Sequence, residues 1–163
     1  MADGTESWQK WYDKYHRPLL LFARQFLSSP ADAEDALQEG FIRFWRSRRS
    51  ARDTAAYLFA CVRSAAIDAR RAKCSRQRHE HHAAAQTPLL TGPPELDDRR
   101  ALLEAAITKL PAEQREVLVL KLWSDLTFAQ IAEALALPAA TAASRYRYAL
   151  ERLHTLLSPE VTP

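Results

Sequence analysis

Thr141, Ser144, Arg145, Tyr148 and Arg152 recur at spacings of three and four. On a helix turning roughly 100° per residue they share one face. That face offers guanidinium forks, hydroxyls and one aromatic ring. Forks of this kind suit guanine edges or phosphate oxygens, hydroxyls suit either, and the N-terminus of such a helix attracts phosphate. The chemistry is recognition of a duplex rather than the making or breaking of bonds. Ala142, Tyr146, Ala149, Leu150 and Leu153 fall on the other side and read as a core stripe. A polar face on any one helix taken alone is ordinarily only solvated, so the surroundings must decide.

A second stripe holds Tyr57, Cys61, Ser64, Asp68, Arg71, Ser75 and Arg78, an aromatic followed by small polar groups and cations. Aromatics interleaved with cations suit unpaired bases stacking on a ring while the backbone runs over positive charge. Leu58, Val62, Ala65 and Ala69 form the core stripe of the same helix. Just before it, Ser47 to Asp53 reads as a short basic loop with Arg48, Arg49 and Arg52. The whole chain of 163 residues has a formal charge of only +3. Its cations are concentrated, however: residues 63–82 carry Arg63, Arg70, Arg71, Lys73, Arg76 and Arg78 against Asp68 and Glu80. That imbalance points to a polyanionic partner. Cys74, His79, His81 and His82 lack the second well-spaced ligand pair a metal site needs, and no paired carboxylates accompany them. No metal, cofactor, catalytic residue, small-molecule substrate or enzymatic activity is expected.

The elements that position these residues are helical. With three Gly and an abundance of Ala, Leu, Arg and Glu, the chain reads as all-α. Thr127 and Gln130 form a T-x-x-Q capping box, which starts a helix at about Phe128 with Ile131, Ala132 and Leu135 on one face. Leu137 closes a turn in which Ala136 stands where Gly is frequent, and Pro138 leads into the next helix from about Ala139. The pair reads as a helix-turn-helix. Upstream, Trp8, Trp11, Tyr12, Tyr15, Leu19, Leu20, Phe22, Ala23, Phe26 and Leu27 make an amphipathic helix that Pro18 is expected to kink or interrupt. Their aromatic stripe reads as core. After Ser28, Ser29 and Pro30 comes a helix with Asp32, Glu34 and Asp35 in its first turn, where the helix dipole favours negative charge. Its apolar side holds Ala36, Leu37, Gly40, Phe41, Phe44 and Trp45, and its other side holds Asp35, Gln38, Glu39, Ile42, Arg43 and Arg46. Apolar residues on more than one side fit a helix that packs on its own domain and is also touched by a partner.

Asp53 or Thr54 should cap the long helix, which runs to about Arg78. His79 to Asp97 lose helical periodicity and read as a flexible linker. Asp97 or Asp98 opens a helix through Leu102, Leu103, Ala106 and Ile107 to Leu110, Pro111 begins another reaching Trp123, and Ser124 and Asp125 turn the chain into the helix-turn-helix. The expected organisation is two small helical domains, 1–80 and 97–158, joined by a linker at 81–96. Cys61 and Cys74 are too far apart along one helix to be bridged, so free thiols are expected. No apolar run approaches the length of a secretory signal or membrane span, which implies a cytoplasmic protein.

Two blocks carry a family likeness that composition does not reveal. Asp32 to Trp45, DAEDALQEGFIRFW, with Tyr57-Leu58 and Ala66-Ile67-Asp68, resembles region 2 of the extracytoplasmic-function sigma factors of bacterial RNA polymerase. Leu110 to Leu118, LPAEQREVL, and the stretch from Leu126 to Leu153 resemble their region 4. The resemblance implies a promoter-specificity subunit whose region 2 binds core polymerase and melts the -10 element while region 4 reads the -35 element. It implies that Asp35, Leu37, Gln38, Glu39, Phe41, Ile42 and Arg43 dock on the β′ clamp helices, with region 4 on the β flap. Arg48, Arg49, Tyr57, Ser64, Asp68, Arg70 and Arg71 become candidates for the -10 strand, a flipped base being held by the loop from Ser47 to Asp53. Thr127, Thr141, Ser144, Arg145, Arg147, Tyr148 and Arg152 become candidates for the -35 duplex. Promoter DNA and an anti-sigma factor are the further implied partners. Ser64 stands where the family often has Asn, and Ala140 and Ala143 where Gly and Lys are frequent, which shifts -35 affinity towards Arg145 and Arg147. The alternative, a stand-alone helix-turn-helix regulator, would need an effector pocket or dimer seam that the N-terminal half does not display.

Overall fold

The computed structural model describes residues 3–77 and 97–158, with side chains from Trp8 and from Asp98 onwards in the two stretches. The expected linker at 81–96, with its histidines, and Arg78 lie outside them. Among the described residues there are seven α-helices, one 3-10 turn and no strand. Two compact units are formed, one within Met1–Thr87 and one within Pro88–Pro163.

The first unit is built from α1 (Asp3–Ala23), α2 (Pro30–Ser47) and α3 (Thr54–Gln77), with the 3-10 turn Arg48–Ser50 between the last two. Leu19, Phe22, Leu37, Phe41, Phe44, Leu58, Phe59 and Val62 are buried at its centre. Most of the α1 aromatics join them: Trp8 and Tyr12 lie against Phe41, Trp11 against Phe44, and Tyr15 edge-on to Phe59. Of the two effects expected of Pro18, a kink or an interruption, the interruption does not occur: α1 is continuous through it. A proline inside a helix costs about 3 kcal/mol, whereas burying a Leu or Phe side chain contributes roughly 1.5–3 kcal/mol. Tyr15 on one side of Pro18 and Leu19 and Phe22 on the other are all buried, so their packing outweighs the loss.

α2 packs most extensively on α3, and one residue explains how closely. A Cβ at Gly40 would lie 2.5 Å from the Cα of Val62, so only a glycine allows this crossing. Both helices start at side-chain caps, and that of α3 is read from the sequence as Asp53 or Thr54. Ser29 Oγ accepts the Asp32 amide at 3.4 Å with Pro30 opening α2, and Asp53 Oδ1 accepts the Ala56 amide at 2.9 Å to open α3. A Lys73–Asp32 ion pair at 2.8 Å ties the far end of α3 to the first turn of α2.

The second unit holds α4 (Asp97–Thr108), α5 (Ala112–Trp123), α6 (Phe128–Leu135) and α7 (Ala139–Leu157). Ala106, Ile107, Leu110, Leu118, Ala149 and Leu153 form its core cluster, with Leu103, Trp123 and Tyr146 packed against it. Leu102, on α4, is 64% exposed. Leu150 leaves the core stripe assigned to α7. It lies at the far edge of that stripe, beyond the arc that α4, α5 and α6 cover.

Candidate nucleic-acid interface

In the second unit the capping box closes as the sequence indicates. Thr127 Oγ1 accepts the Gln130 amide at 3.1 Å, and Gln130 Oε1 accepts the Thr127 amide at 2.9 Å. α6 ends with Ala136 in the left-handed region, at φ 55° and ψ 50°. The Leu137 amide donates to the Ala132 carbonyl at 2.9 Å and the Ala136 amide to the Glu133 carbonyl at 3.3 Å, which satisfies carbonyls the helix end would leave unpaired. Phe128 then meets Tyr146 at 5.5 Å between ring centroids and locks α6 against α7. Tyr146 thereby fixes which face of α7 turns outward.

That outward face carries Thr141, Ser144 and Arg145, partly exposed, followed by Tyr148 and Arg152, both exposed. Thr127, at the start of α6, is exposed as well. Arg147 is not on the same stripe. It lies on the side of Ser144 away from Arg145, roughly 100° round from the centre of the face, its guanidinium 5.1 Å from the Tyr148 ring centroid. Arg145 has a partner within the unit, a Glu113 carboxylate oxygen at 3.7 Å.

In the first unit Tyr57, Ser64, Asp68 and Arg71 share one stripe of α3, the last three reaching solvent and Tyr57 half-buried against Phe44. The stripe is not open throughout, because Cys61 within it is buried. A hydrogen bond between the Tyr57 hydroxyl and the Cys61 thiol raises Tyr57 above its ordinary pKa, with burial adding to it. Burial pushes the Cys61 thiol up. Arg70 departs from the stripe. It faces the turn that follows α1, with its guanidinium 5.4 Å from the Phe26 ring centroid, on the side of α3 that also carries Arg63. The segment read as a basic loop contains the 3-10 turn, and Arg48 is folded back within it. Its guanidinium stacks 3.5 Å from the Trp45 ring centroid and donates to the Trp45 carbonyl, while Arg49 is exposed.

The set assigned to a polymerase surface divides in two. Leu37 and Phe41 are core residues at 0% and 2% exposure and cannot face a partner. Their burial follows from the α1 aromatics and α3, which cover that side of α2. Asp35, Gln38, Glu39 and Ile42 are exposed, Ile42 at 46%, and Arg43 is half-buried. Arg43 reaches across to α3: its Nη1 donates to Asp68 Oδ2 at 3.1 Å and Ser64 Oγ at 3.4 Å, and its Nε to Glu39 Oε1 at 3.2 Å. Burial alone would lower the pKa of this guanidinium, but the bonds to Asp68 and Glu39 carry it above its ordinary value. The contact between Arg43 and α3 is invisible to sequence periodicity, since the two lie on different helices.

Each unit matches a known family model. The model of sigma-70 region 2 matches residues 11–76, and that of sigma-70 region 4 matches residues 100–153. The ECF RNA polymerase sigma factor SigL of Mycobacterium tuberculosis is 32% identical over 152 residues, spanning 90% of this chain and 86% of that protein. The RNA polymerase sigma-E factor of Streptomyces coelicolor is 31% identical over 140 residues, spanning 83% and 77%. Among solved structures, the sigma factor RpoE from Bartonella quintana, in complex with the anti-sigma factor NepR, shares the fold at a TM-score of 0.72 and 23% identity, over 97% of this chain and 99% of that one. CnrH, in complex with the cytosolic domain of CnrY, does so at 0.68 and 20%, over 94% and 88%.

Proposed function

This chain belongs to the extracytoplasmic-function RNA polymerase sigma factors, and we propose that each of its two units reads a separate element of one promoter while attached to the polymerase. The first unit, residues 1–80, holds the β′ clamp helices through Asp35, Gln38, Glu39 and Ile42 and captures the opened -10 strand with Arg49, Tyr57, Ser64 and Arg71. The second, residues 97–158, lays the outward face of α7 in the major groove at -35 and rests on the β flap. Residues 81–96 join them as a tether.

The observation that carries this reading is the outward face of α7, where Thr141, Ser144, Arg145, Tyr148 and Arg152 stay at the surface on a helix locked by its turn. Thr127 adds a phosphate contact at the start of α6, and Arg147, off the main face, suits the flanking backbone. Ile42 supports the polymerase surface, being a large apolar side chain held in solvent among charges. The protein contributes recognition and strand opening, and phosphodiester chemistry remains the polymerase's own. It acts in the cytoplasm, and no helix among the described residues is long and apolar enough to cross a membrane. An anti-sigma factor is its expected antagonist; RpoE of Bartonella quintana is found in complex with the anti-sigma factor NepR.

Mapping transcript starts in cells overproducing the protein tests this reading. New starts should share two upstream motifs at a constant spacing. New starts without a shared motif would overturn it.

A further inference from the structure

Arg43 belongs by position to the helix surface assigned to polymerase, yet its hydrogen bonds run inward. Gly40, one turn earlier, lets α2 approach α3 so closely that a Cβ would strike the backbone of Val62. The crossing brings Arg43 over the stripe of α3 that holds Ser64 and Asp68, and Nη1 meets both. Glu39 takes Nε and holds the other side of the fork. Asp68 is the one carboxylate among the described residues of that stripe, which otherwise holds Tyr57, Cys61, Ser64, Arg71 and Ser75. A carboxylate there repels a phosphodiester, and the Arg43 guanidinium at 3.1 Å, which Glu39 shares, offsets part of that charge. Both side chains are substantially exposed, at 36% and 54%, so the pair contributes little to holding the fold together. Its consequence lies in the charge and shape that α3 offers to a strand.

We propose that Arg43 is a positioning residue for -10 strand capture: it acts through Asp68 and Ser64, offsetting the Asp68 charge and fixing the strand-facing stripe of α3, and does not contact the polymerase. This rests on the sigma-factor reading given above. It separates two surfaces that adjoin on α2, with Gln38, Glu39 and Ile42 facing the enzyme and Arg43 belonging functionally to α3.

The test is a cycle of Arg43→Gln, Asp68→Asn and the double variant in the full-length protein. Each is assayed for affinity to core polymerase, for thermal unfolding, and for permanganate reactivity of opened thymines at a promoter recovered by start-site mapping. Arg43→Gln should lower opening about fivefold, the size of one uncompensated charge a few ångströms from a phosphate in water. Its core affinity and unfolding temperature should match the wild type. In the double variant, Asp68→Asn should restore what Arg43→Gln lost. Loss of core affinity in Arg43→Gln would overturn the proposal, as would failure of Asp68→Asn to restore opening, since Arg43 would then touch polymerase or DNA itself. A wild-type protein that does not activate core polymerase would instead overturn the sigma-factor reading, and this inference with it.

Discussion

Arg145 poses the clearest question at the scale of one side chain, because its fork can read a base edge or hold a phosphate and the two outcomes differ in kind. In free protein it has Glu113 within ion-pair distance, so binding DNA means exchanging one anion for another. Arg145→Ala should weaken binding of holoenzyme to its promoter by roughly 1–3 kcal/mol and relax sequence preference at one -35 position. Affinity measured across a set of single-base promoter variants checks this, and an equal loss on every sequence would mean a phosphate contact. Cys61 gives an expectation of a different sort. Its raised pKa means the folded chain favours the protonated thiol, so its contribution is intact below the ordinary value of 9.0 and is lost as pH rises through the higher folded value. Urea midpoints measured at about pH 8 and about pH 10 should fall with pH, and fall less in Cys61→Ala. Leu37 and Phe41 show where residue-level reading stopped. Both lie in the block that resembles region 2, and the likeness cannot separate a residue kept for packing from one facing a partner. Burial separates them at once.

At the scale of elements, local chemistry was legible wherever the deciding atoms lie close in sequence. Thr127 and Gln130 specify the start of α6, and Asp53 the start of α3, within a few residues. Features that depend on a second helix were not. Pro18 suggested a break because its cost is local, while the packing that overrides it comes from α2 and α3. Arg70 looked like a neighbour of Arg71, but consecutive residues point about 100° apart on a helix, and only the turn after α1 reveals that Arg70 meets Phe26. Two substitutions separate local from tertiary control. Ala136 holds a left-handed conformation that disfavours any side chain, so Ala136→Gly should raise stability by about 0.5–1 kcal/mol after allowing for the greater freedom of glycine in the unfolded chain. Gly40→Ala would gain up to about 1 kcal/mol by helix propensity alone. With Val62 Cα 2.5 Å from the new methyl, it should instead lose roughly 1–3 kcal/mol through overpacking. Chemical denaturation of each variant reads both signs.

At the scale of the molecule, two helical units each present a surface with a different task. The all-α class was legible from composition and periodicity, and the sigma-factor likeness from two blocks in order. Neither could show that α7 keeps its cationic face outward, or that α2 and α3 cross closely enough to join Arg43 to Asp68. Together these features describe a protein whose recognition surfaces become useful once both units are held on one enzyme. Run-off transcription with purified core polymerase, with and without the protein, measures that dependence most directly. Specific transcripts should form only when protein and core are both present, and should disappear when Arg145→Ala and Ile42→Glu are combined. A core enzyme whose transcripts are unchanged by the protein, or a protein that binds its DNA site tightly and fails to associate with core, would contradict it.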